Sequence, residues 1–252
     1  MKIRVIPTIL TDGQTVVKGE NFNNWRTVGT AEAIARLYAK RDVDELLFLD
    51  VKARSRNSIV DKNLLLHFSN VLDIPFSVGG GINTLEHAKV CFRNGAEKVV
   101  LGTSAILNPS LISEIADIFG NQAVIVAVDF VEDKDNRIAI NSGNKNKEVP
   151  IFEFITSLER LGAGEILLQS VLRDGTRTGM DIDRIALVSE MTNLPIIASS
   201  GAGKIEDFHE AVKNGASAVA AGAVFQFTEL TPKMVGTYLS SKGINMRNRV
   251  NS

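Results

Sequence analysis

A gapless internal repeat is the strongest constraint on what this chain can fold into. Ile74-Pro-Phe-Ser-Val-Gly-Gly-Gly-Ile-Asn-Thr-Leu-Glu returns 120 residues later as Leu194-Pro-Ile-Ile-Ala-Ser-Ser-Gly-Ala-Gly-Lys-Ile-Glu. The same offset carries Asn94-Gly95-Ala96 onto Asn214-Gly215-Ala216, Gly102 onto Gly222, and Glu45-Leu-Leu-Phe-Leu onto Glu165-Ile-Leu-Leu-Gln. Along the chain, short apolar runs end in Gly, Asp, Ser or Thr and give way to helical spacing, the rhythm of alternating strand and helix. Strands are predicted at Ile3–Leu10, Glu45–Val51, Phe76–Val78, Lys98–Leu101, Ala123–Asp129, Glu165–Ser170, Ile196–Ser199 and Ala218–Ala221. They are aliphatic on both faces, which suits a parallel sheet covered by helices. Alternation alone fits an open doubly wound sheet as well as a closed barrel. The repeat decides between them, because two four-strand halves can close on each other, whereas two separate domains would each leave a parallel edge exposed. The expected fold is therefore α/β, a single (βα)8 TIM barrel over residues 1–247, with half-barrels at about 1–120 and 121–247 and a frayed polar tail at 248–252.

The chain has 252 residues, a usual size for one such barrel. Its net charge of −1 leaves no basic footprint for nucleic acid or an anionic membrane surface. Cys91 is the single cysteine and falls in a helical pattern, which points to packing in a reducing compartment rather than to a thiol nucleophile. The opening run MKIRVIPTIL meets Thr-Asp-Gly too soon for a signal segment or a membrane span, and no later run is long enough to cross a bilayer. A cytoplasmic protein is expected, with no metal site and no cofactor.

Two Gly-rich turns follow the third and fourth strands, at Gly79-Gly80-Gly81 and Gly102-Thr103-Ser104. The second half repeats them at Ser199-Ser200-Gly201 and Gly222-Ala223. Glycine lets backbone N–H groups turn toward an anion, so phosphate is the natural ligand. In barrels of this type a frequent phosphate site lies between the loops after the seventh and eighth strands, and the repeat implies a second one half a barrel away. The plainer reading is that each glycine only turns a strand into a helix. Paired loops at a fixed offset favour an elongated small molecule with a phosphate at each end.

Arg4-Val-Ile-Pro, Val16-Val-Lys-Gly-Glu-Asn-Phe, Phe48-Leu-Asp, Val78-Gly-Gly-Gly-Ile, Val126-Ala-Val-Asp, Leu161-Gly-Ala-Gly-Glu-Ile-Leu-Leu and Arg173-Asp-Gly-Thr together resemble the cyclase subunit of imidazole glycerol phosphate synthase, over nearly the whole chain. That resemblance implies a barrel whose bottom docks a glutaminase, whose centre conducts ammonia, and whose top cyclises a phosphorylated aminoimidazole intermediate. It also implies an ammonia gate formed by Arg4, Glu45, Lys98 and Glu165. On physical grounds, two cations and two anions at strand starts would converge on the barrel axis, where each needs an opposite partner; the plainer alternative is a set of rim salt bridges. At the top, Lys18, Asp50, Ser142, Gly143, Asp174 and Gly175 match family positions near the catalytic loop or substrate, and Asp129 matches one of two essential acid–base carboxylates. A carboxylate at the active face of a barrel can have its pKa raised enough for proton transfer.

The family's other carboxylate falls on Leu10, which can neither donate nor accept a proton. Asp12, two residues on, is the possible substitute if the chain slips locally. Gly102, Gln169, Ala223 and Ser200 also depart from the family pattern. Ammonia delivery with altered ring chemistry resembles a paralogous branch of the family. There the barrel and its glutaminase supply ammonia for turning a sugar's acetamido group into an acetamidino group during surface polysaccharide or lipopolysaccharide synthesis. Displacing an amide oxygen needs activation, and this chain has no nucleotide-binding loop of the Gly-x4-Gly-Lys-Ser/Thr type, so an ATP-dependent amidotransferase-like partner is expected. Three readings stand on the sequence: a synthase subunit for sugar amidation, a true cyclase of histidine biosynthesis, and a non-catalytic barrel that activates the glutaminase and channels its product.

Overall fold

The computed structural model describes residues 2–41, 43–130, 137–141 and 146–247, the stretches between 131 and 149 by their backbone. The site candidates Ser142 and Gly143, and the tail at 248–252, lie outside the described residues.

Eight parallel strands form the barrel: β1 (Arg4–Thr11), β2 (Leu46–Asp50), β3 (Phe76–Gly79), β4 (Lys98–Leu101), β5 (Val124–Phe130), β6 (Glu165–Ser170), β7 (Ile196–Ser199) and β8 (Ala218–Ala221). Each pairs with its sequence neighbours, and the ring closes where Arg4 of β1 lies opposite Ala218 of β8. The halves meet at β4 and β5, where Val99 lies opposite Val124. No barrel strand is left with a free edge, which is the arrangement the repeat calls for. The outer helices are α1 (Ala31–Ala39), α2 (Lys62–Val71), α3 (Leu85–Arg93), α4 (Ser110–Phe119), α5 (Ile151–Leu161), α6 (Ile182–Met191), α7 (Ile205–Lys213) and α8 (Pro232–Ser241). Thr84, Thr30, Asp61, Asp181 and Thr231 start five of them, each accepting a backbone N–H from the first turn.

The 120-residue offset persists in three dimensions. It superimposes β3 on β7, β4 on β8, α3 on α7, and the short helix Thr103–Leu107 on Ala223–Phe227.

Strand periodicity sorts the side chains into two cores. Val5 and Ile9 of β1 face outward into the large layer between strands and helices. Ile6 faces inward, where it joins Leu47, Val100, Ile125, Leu167, Ile197, Ala218 and Ala220 in a small apolar plug across the barrel axis. Inward parity runs through Arg4, Ile6, Thr8 and Leu10 on β1, through Ile125, Ala127 and Asp129 on β5, and through Glu165, Leu167 and Gln169 on β6. Charges at the strand starts, an apolar middle and polar groups at the strand ends therefore share one axis.

Two antiparallel hairpins decorate the top and were absent from the sequence prediction. Thr15–Glu20 pairs with Asn23–Thr30 after β1, and Arg137–Asn141 pairs with Asn146–Pro150 after β5. Predicted strand bounds hold within about a residue, except that Glu45 precedes the second strand and Thr11 and Phe130 extend the first and fifth.

Candidate functional site

At the bottom of the barrel the four charges predicted to converge do so. The Arg4 guanidinium donates Nη1 to Glu45 Oε2 at 2.7 Å and to Glu165 Oε1 at 3.3 Å, and Nη2 to Glu165 Oε2. Lys98 Nζ bridges the same two acids, at 3.2 Å from both Glu45 oxygens and 2.5 Å from Glu165 Oε1. Ser77 Oγ donates to Glu45 Oε1 at 2.6 Å. Arg4, Glu45 and Glu165 are buried. Burial opposes charge on Glu165, yet the hydrogen bonds and attraction of Arg4, then those of Lys98, outweigh it and hold the carboxyl below its usual range. Burial likewise opposes the Arg4 charge, and Glu165 and Glu45 together raise its pKa above the ordinary value. The ring is thus a closed, mutually neutralising set of ions rather than a scatter of rim pairs.

At the opposite end of the same axis lies a cavity of about 990 Å³. Its walls bring together Leu10, Lys18, Asp50 and Asp129 with Asp174 and Gly175, and both pairs of Gly-rich turns. Asp129 lies one residue before the end of β5, on the inward parity. Burial, and then the neighbouring Asp174 charge, push its pKa up to about 7. Its Oδ1 is buried with no hydrogen-bond partner among the described residues, as is Thr8 Oγ1 one wall away. Lys18, reaching in from the first hairpin, donates Nζ to Thr8 O at 3.2 Å. Burial brings its pKa down to about 8, opposed by Asp174. Asp174 is itself raised by burial, against the pull of Lys18 and the hydroxyl of Ser200, which donates to Oδ1 at 3.3 Å. An acid and an amine poised near neutrality in one apolar-floored mouth can exchange protons with a ligand.

Leu10 is buried on the inward parity beside this mouth. Asp12 does not take the place of a second carboxylate. It lies past the end of β1 in the turn to the hairpin, where Oδ1 accepts from Thr15 N at 2.9 Å and Gln14 N at 3.2 Å, and it is not among the residues lining the cavity. Burial of Asp12 is slight, and those bonds hold its pKa below normal. The local slip that would carry it into the mouth is not seen, because the strand runs unbroken to Thr11.

Asp50 borders the cavity, but its carboxylate belongs to the loop after β2. It sits on the outward parity, receives Arg56 Nη2 at 2.5 Å and Lys52 N at 3.0 Å, and is raised by burial against those partners. Gly80, with φ +113°, and Gly81, with φ +70°, let the same loop press down. A Cβ on Gly80 would meet Asp50 O, and one on Gly81 would meet Ser58 O. Here the plainer reading of the glycines has force, since they also serve packing. Gly102 differs, because nothing lies within 4 Å of where its Cβ would be.

Beyond Lys18, the sequence reading missed the cations of this mouth. Lys52 and Arg54 line the cavity, and Arg54 Nη1 donates to Thr103 Oγ1 at 2.9 Å. The alternation Lys52-Ala53-Arg54-Ser55-Arg56 directly after the second strand was the available signal. Among the described residues no His, Cys, Asp and Glu group could hold a metal ion, and no helix is long and apolar enough to cross a membrane.

Known proteins give this geometry a lineage. The family described as "Histidine biosynthesis protein" matches residues 4–231. The chain is 42% identical over 245 residues to "Imidazole glycerol phosphate synthase subunit HisF" of Thermotoga sp. (strain RQ2), covering 97% of both chains. It is 40% identical over 252 residues to the protein of the same description from Natranaerobius thermophilus, covering 97% of this chain and 98% of that one. A third relative so described, from Thermobifida fusca, is 39% identical over 254 residues, covering 98% and 99%. With an ion ring below and a two-ended cavity above in one closed barrel, this chain belongs to the histidine biosynthesis protein family that includes imidazole glycerol phosphate synthase subunit HisF.

Proposed function

We propose that this chain is the ammonia-receiving synthase subunit of a glutamine amidotransferase complex, cytoplasmic, with a glutaminase docked below the ion ring and a phosphorylated small molecule held above it. The observation that carries this reading is the alignment of the ring and the cavity on one axis. Ionic walls at the barrel bottom give way to an apolar plug that includes Ala218 and Ala220 and then to Asp129, Thr8 and Gln169 at the top. A small neutral solute such as ammonia suits an apolar path of this kind, and the ring would gate its entry. The turns at Gly102 and Thr103 and at Ser200 and Gly201 face each other across the mouth, supporting a ligand anchored at both ends.

Two acceptors are consistent with this reading. The relatives, all described as subunit HisF, support cyclase chemistry on an imidazole glycerol phosphate precursor, with Asp129 as the proton-transfer group. Leu10 supports the other, because it leaves Asp129 without the second carboxylate on which that ring closure depends, and Asp12 is bound in its own turn. Under that reading the ammonia is used to amidate a sugar's acetamido group in surface polysaccharide synthesis, with an ATP-dependent partner activating the amide oxygen.

The test supplies the purified chain with ammonium and the aminoimidazole ribulotide. Formation of imidazole glycerol phosphate at ordinary enzymatic rates establishes the cyclase and overturns the amidation reading. No turnover, with activity appearing in Leu10→Asp, establishes that this one position redirected the subunit. Stimulation of a cognate glutaminase that is abolished by Lys98→Glu supports the gate in either case; intact stimulation in that variant removes it.

A further inference from the structure

The two ends of the cavity are not equivalent, although the fold repeats. The loops after β2 and β6 share one backbone feature at the 120-residue offset: Asn57 and Arg177 both sit in the left-handed region, with φ of 50° and 58°, although Gly175 also takes a positive φ where Ser55 does not. Position by position, however, their chemistry differs. Arg54 in the first half corresponds to Asp174 in the second, the Thr103 hydroxyl to the methyl of Ala223, and Lys52 to Leu172. Around the first-half turn, Asp50 is neutralised within its loop by Arg56, so Arg54 and Lys52 bring positive charge to the wall that no carboxylate among the described residues pairs. Around the second-half turn, Lys18 and Asp174 attract one another, and Arg177 is the other cation lining the cavity there among the described residues, while Arg173 packs beneath Gly201 and donates to Gly179 O outside the lining. Space follows the same division. The Cα of Gly102 opens onto emptiness, whereas a Cβ at Gly222 would strike Lys18 Nζ.

We propose that Arg54 makes the first-half turn the high-affinity anion end of the cavity, so that the substrate binds with one polarity. Its most highly charged group, a phosphomonoester dianion, lies against Arg54 and Thr103. Its other end lies at Ser200 and Gly201, beside Lys18 and Asp174. A guanidinium presents a planar fork that matches two phosphate oxygens, and its present bond to the Thr103 hydroxyl holds it where such an anion would touch both groups. The inference rests on reading the paired turns as phosphate sites, and it adds which of them dominates and which residue makes it so.

Inorganic phosphate is the probe, titrated at near-neutral pH while the backbone amide resonances of Thr103 and Gly201 report each end separately. In the unmodified chain the Thr103 end is expected to saturate first. Arg54→Gln should weaken that end by about tenfold or more while the Gly201 end changes by less than about twofold, and Arg54→Lys should regain part of the loss. Arg54 is exposed, so the folding midpoint should not move, and Thr103→Val offers a second route to the same loss. Equal affinity at the two ends, or a Thr103 end indifferent to Arg54→Gln, overturns the asymmetry and leaves the phosphate turns standing. Binding at neither end removes the phosphate reading itself, and the asymmetry with it. Because the readout needs no ammonia, glutaminase or acceptor, its result is independent of which reaction the subunit serves.

Discussion

The two ends of this barrel bury the same kinds of side chain to opposite effect. At the bottom, Arg4, Lys98, Glu45 and Glu165 satisfy one another, and the resolved shifts favour the charged forms of Glu165 and Arg4. At the top, Lys18 is buried and Asp129 half-buried, neither has a direct ionic partner among the described residues, and both are pushed toward their neutral forms. Burial is common to both ends; completeness of pairing separates them. A complete ring is a fixed electrostatic object, suited to holding shape or opening as a unit. An incomplete set is suited to passing protons, because neither protonation state is strongly preferred near neutral pH. Among the described residues, the charges left without an ionic partner therefore lie at the end of the barrel that holds the cavity.

Breaking the ring should produce the largest effect. Arg4→Met leaves Glu45 and Glu165 to share Lys98, and removing one partner from a buried ion set costs about 3–5 kcal/mol. For a chain of this size that lowers the thermal midpoint by on the order of 10 °C. Differential scanning calorimetry measures it, and a loss below about 1 kcal/mol would place the ring with ordinary surface pairs and dissolve the contrast. The sign with pH follows from Glu165. Its pKa is lowered in the fold, so its stabilisation is fully present above the unfolded carboxyl value near 4.3 and disappears as pH falls through the folded one. The Arg4→Met penalty should shrink correspondingly in acid.

At the top the signs reverse. Asp129 has a pKa raised to about 7, so between the unfolded value near 3.9 and about 7 the folded state binds the extra proton, and stability falls as pH rises through that window. Asp129→Asn should therefore stabilise the protein above pH 7. The gain should be about 2 kcal/mol once hydration of the open mouth is allowed for, and it should vanish below about pH 4. Chemical denaturation at a series of pH values reads both arms. The same substitution should lower ammonia-dependent turnover by about 10²-fold or more if Asp129 moves the proton. Stability unchanged at every pH would mean that the carboxylate is already matched by a partner.

Much of this contrast was legible beforehand, for a physical reason. The eight strands, the repeat and the four ring charges are written in local periodicity, and inward parity carries Arg4, Glu165 and Asp129 to the axis once the barrel closes. What the sequence hid depended on loops. The hairpin Thr15–Glu20 with Asn23–Thr30 has an exposed second strand without apolar alternation, and its turn relies on Asn21 and Phe22 in left-handed conformations. Its one available signal was the cluster Gly19-Glu-Asn-Phe-Asn-Asn. Asp50 was picked out by its match to a family position near the substrate; it borders the cavity but sits one residue off the inward parity and pairs with Arg56, an arrangement that only the loop reveals. Arg54 went unnoticed because its meaning emerges only when the loop is overlaid on its repeat and Asp174 is found in its place.

Lys18 provides the smallest and most discriminating prediction. Its amine is buried, donates only to Thr8 O among the described residues, and titrates at about 8 in the fold against about 10.4 in the unfolded chain. Below pH 8 the charged amine lowers stability by its full amount. As pH rises from about 8 to 10.4 the unfolded chain holds more protons, so stability increases. Lys18→Met, which keeps the apolar length of the stem, should stabilise the protein by about 1 kcal/mol at pH 7, part of the desolvation gain being offset by the lost bond to Thr8. That advantage should fade toward pH 10, opposite in direction to the acid-side fading expected of Asp129→Asn. Because Asp174 acts on both groups, the double variant should gain less than the two single gains added together. Strict additivity would mean that the amine and the acid do not share a field, and the mouth would then hold two isolated buried charges rather than one proton-handling set.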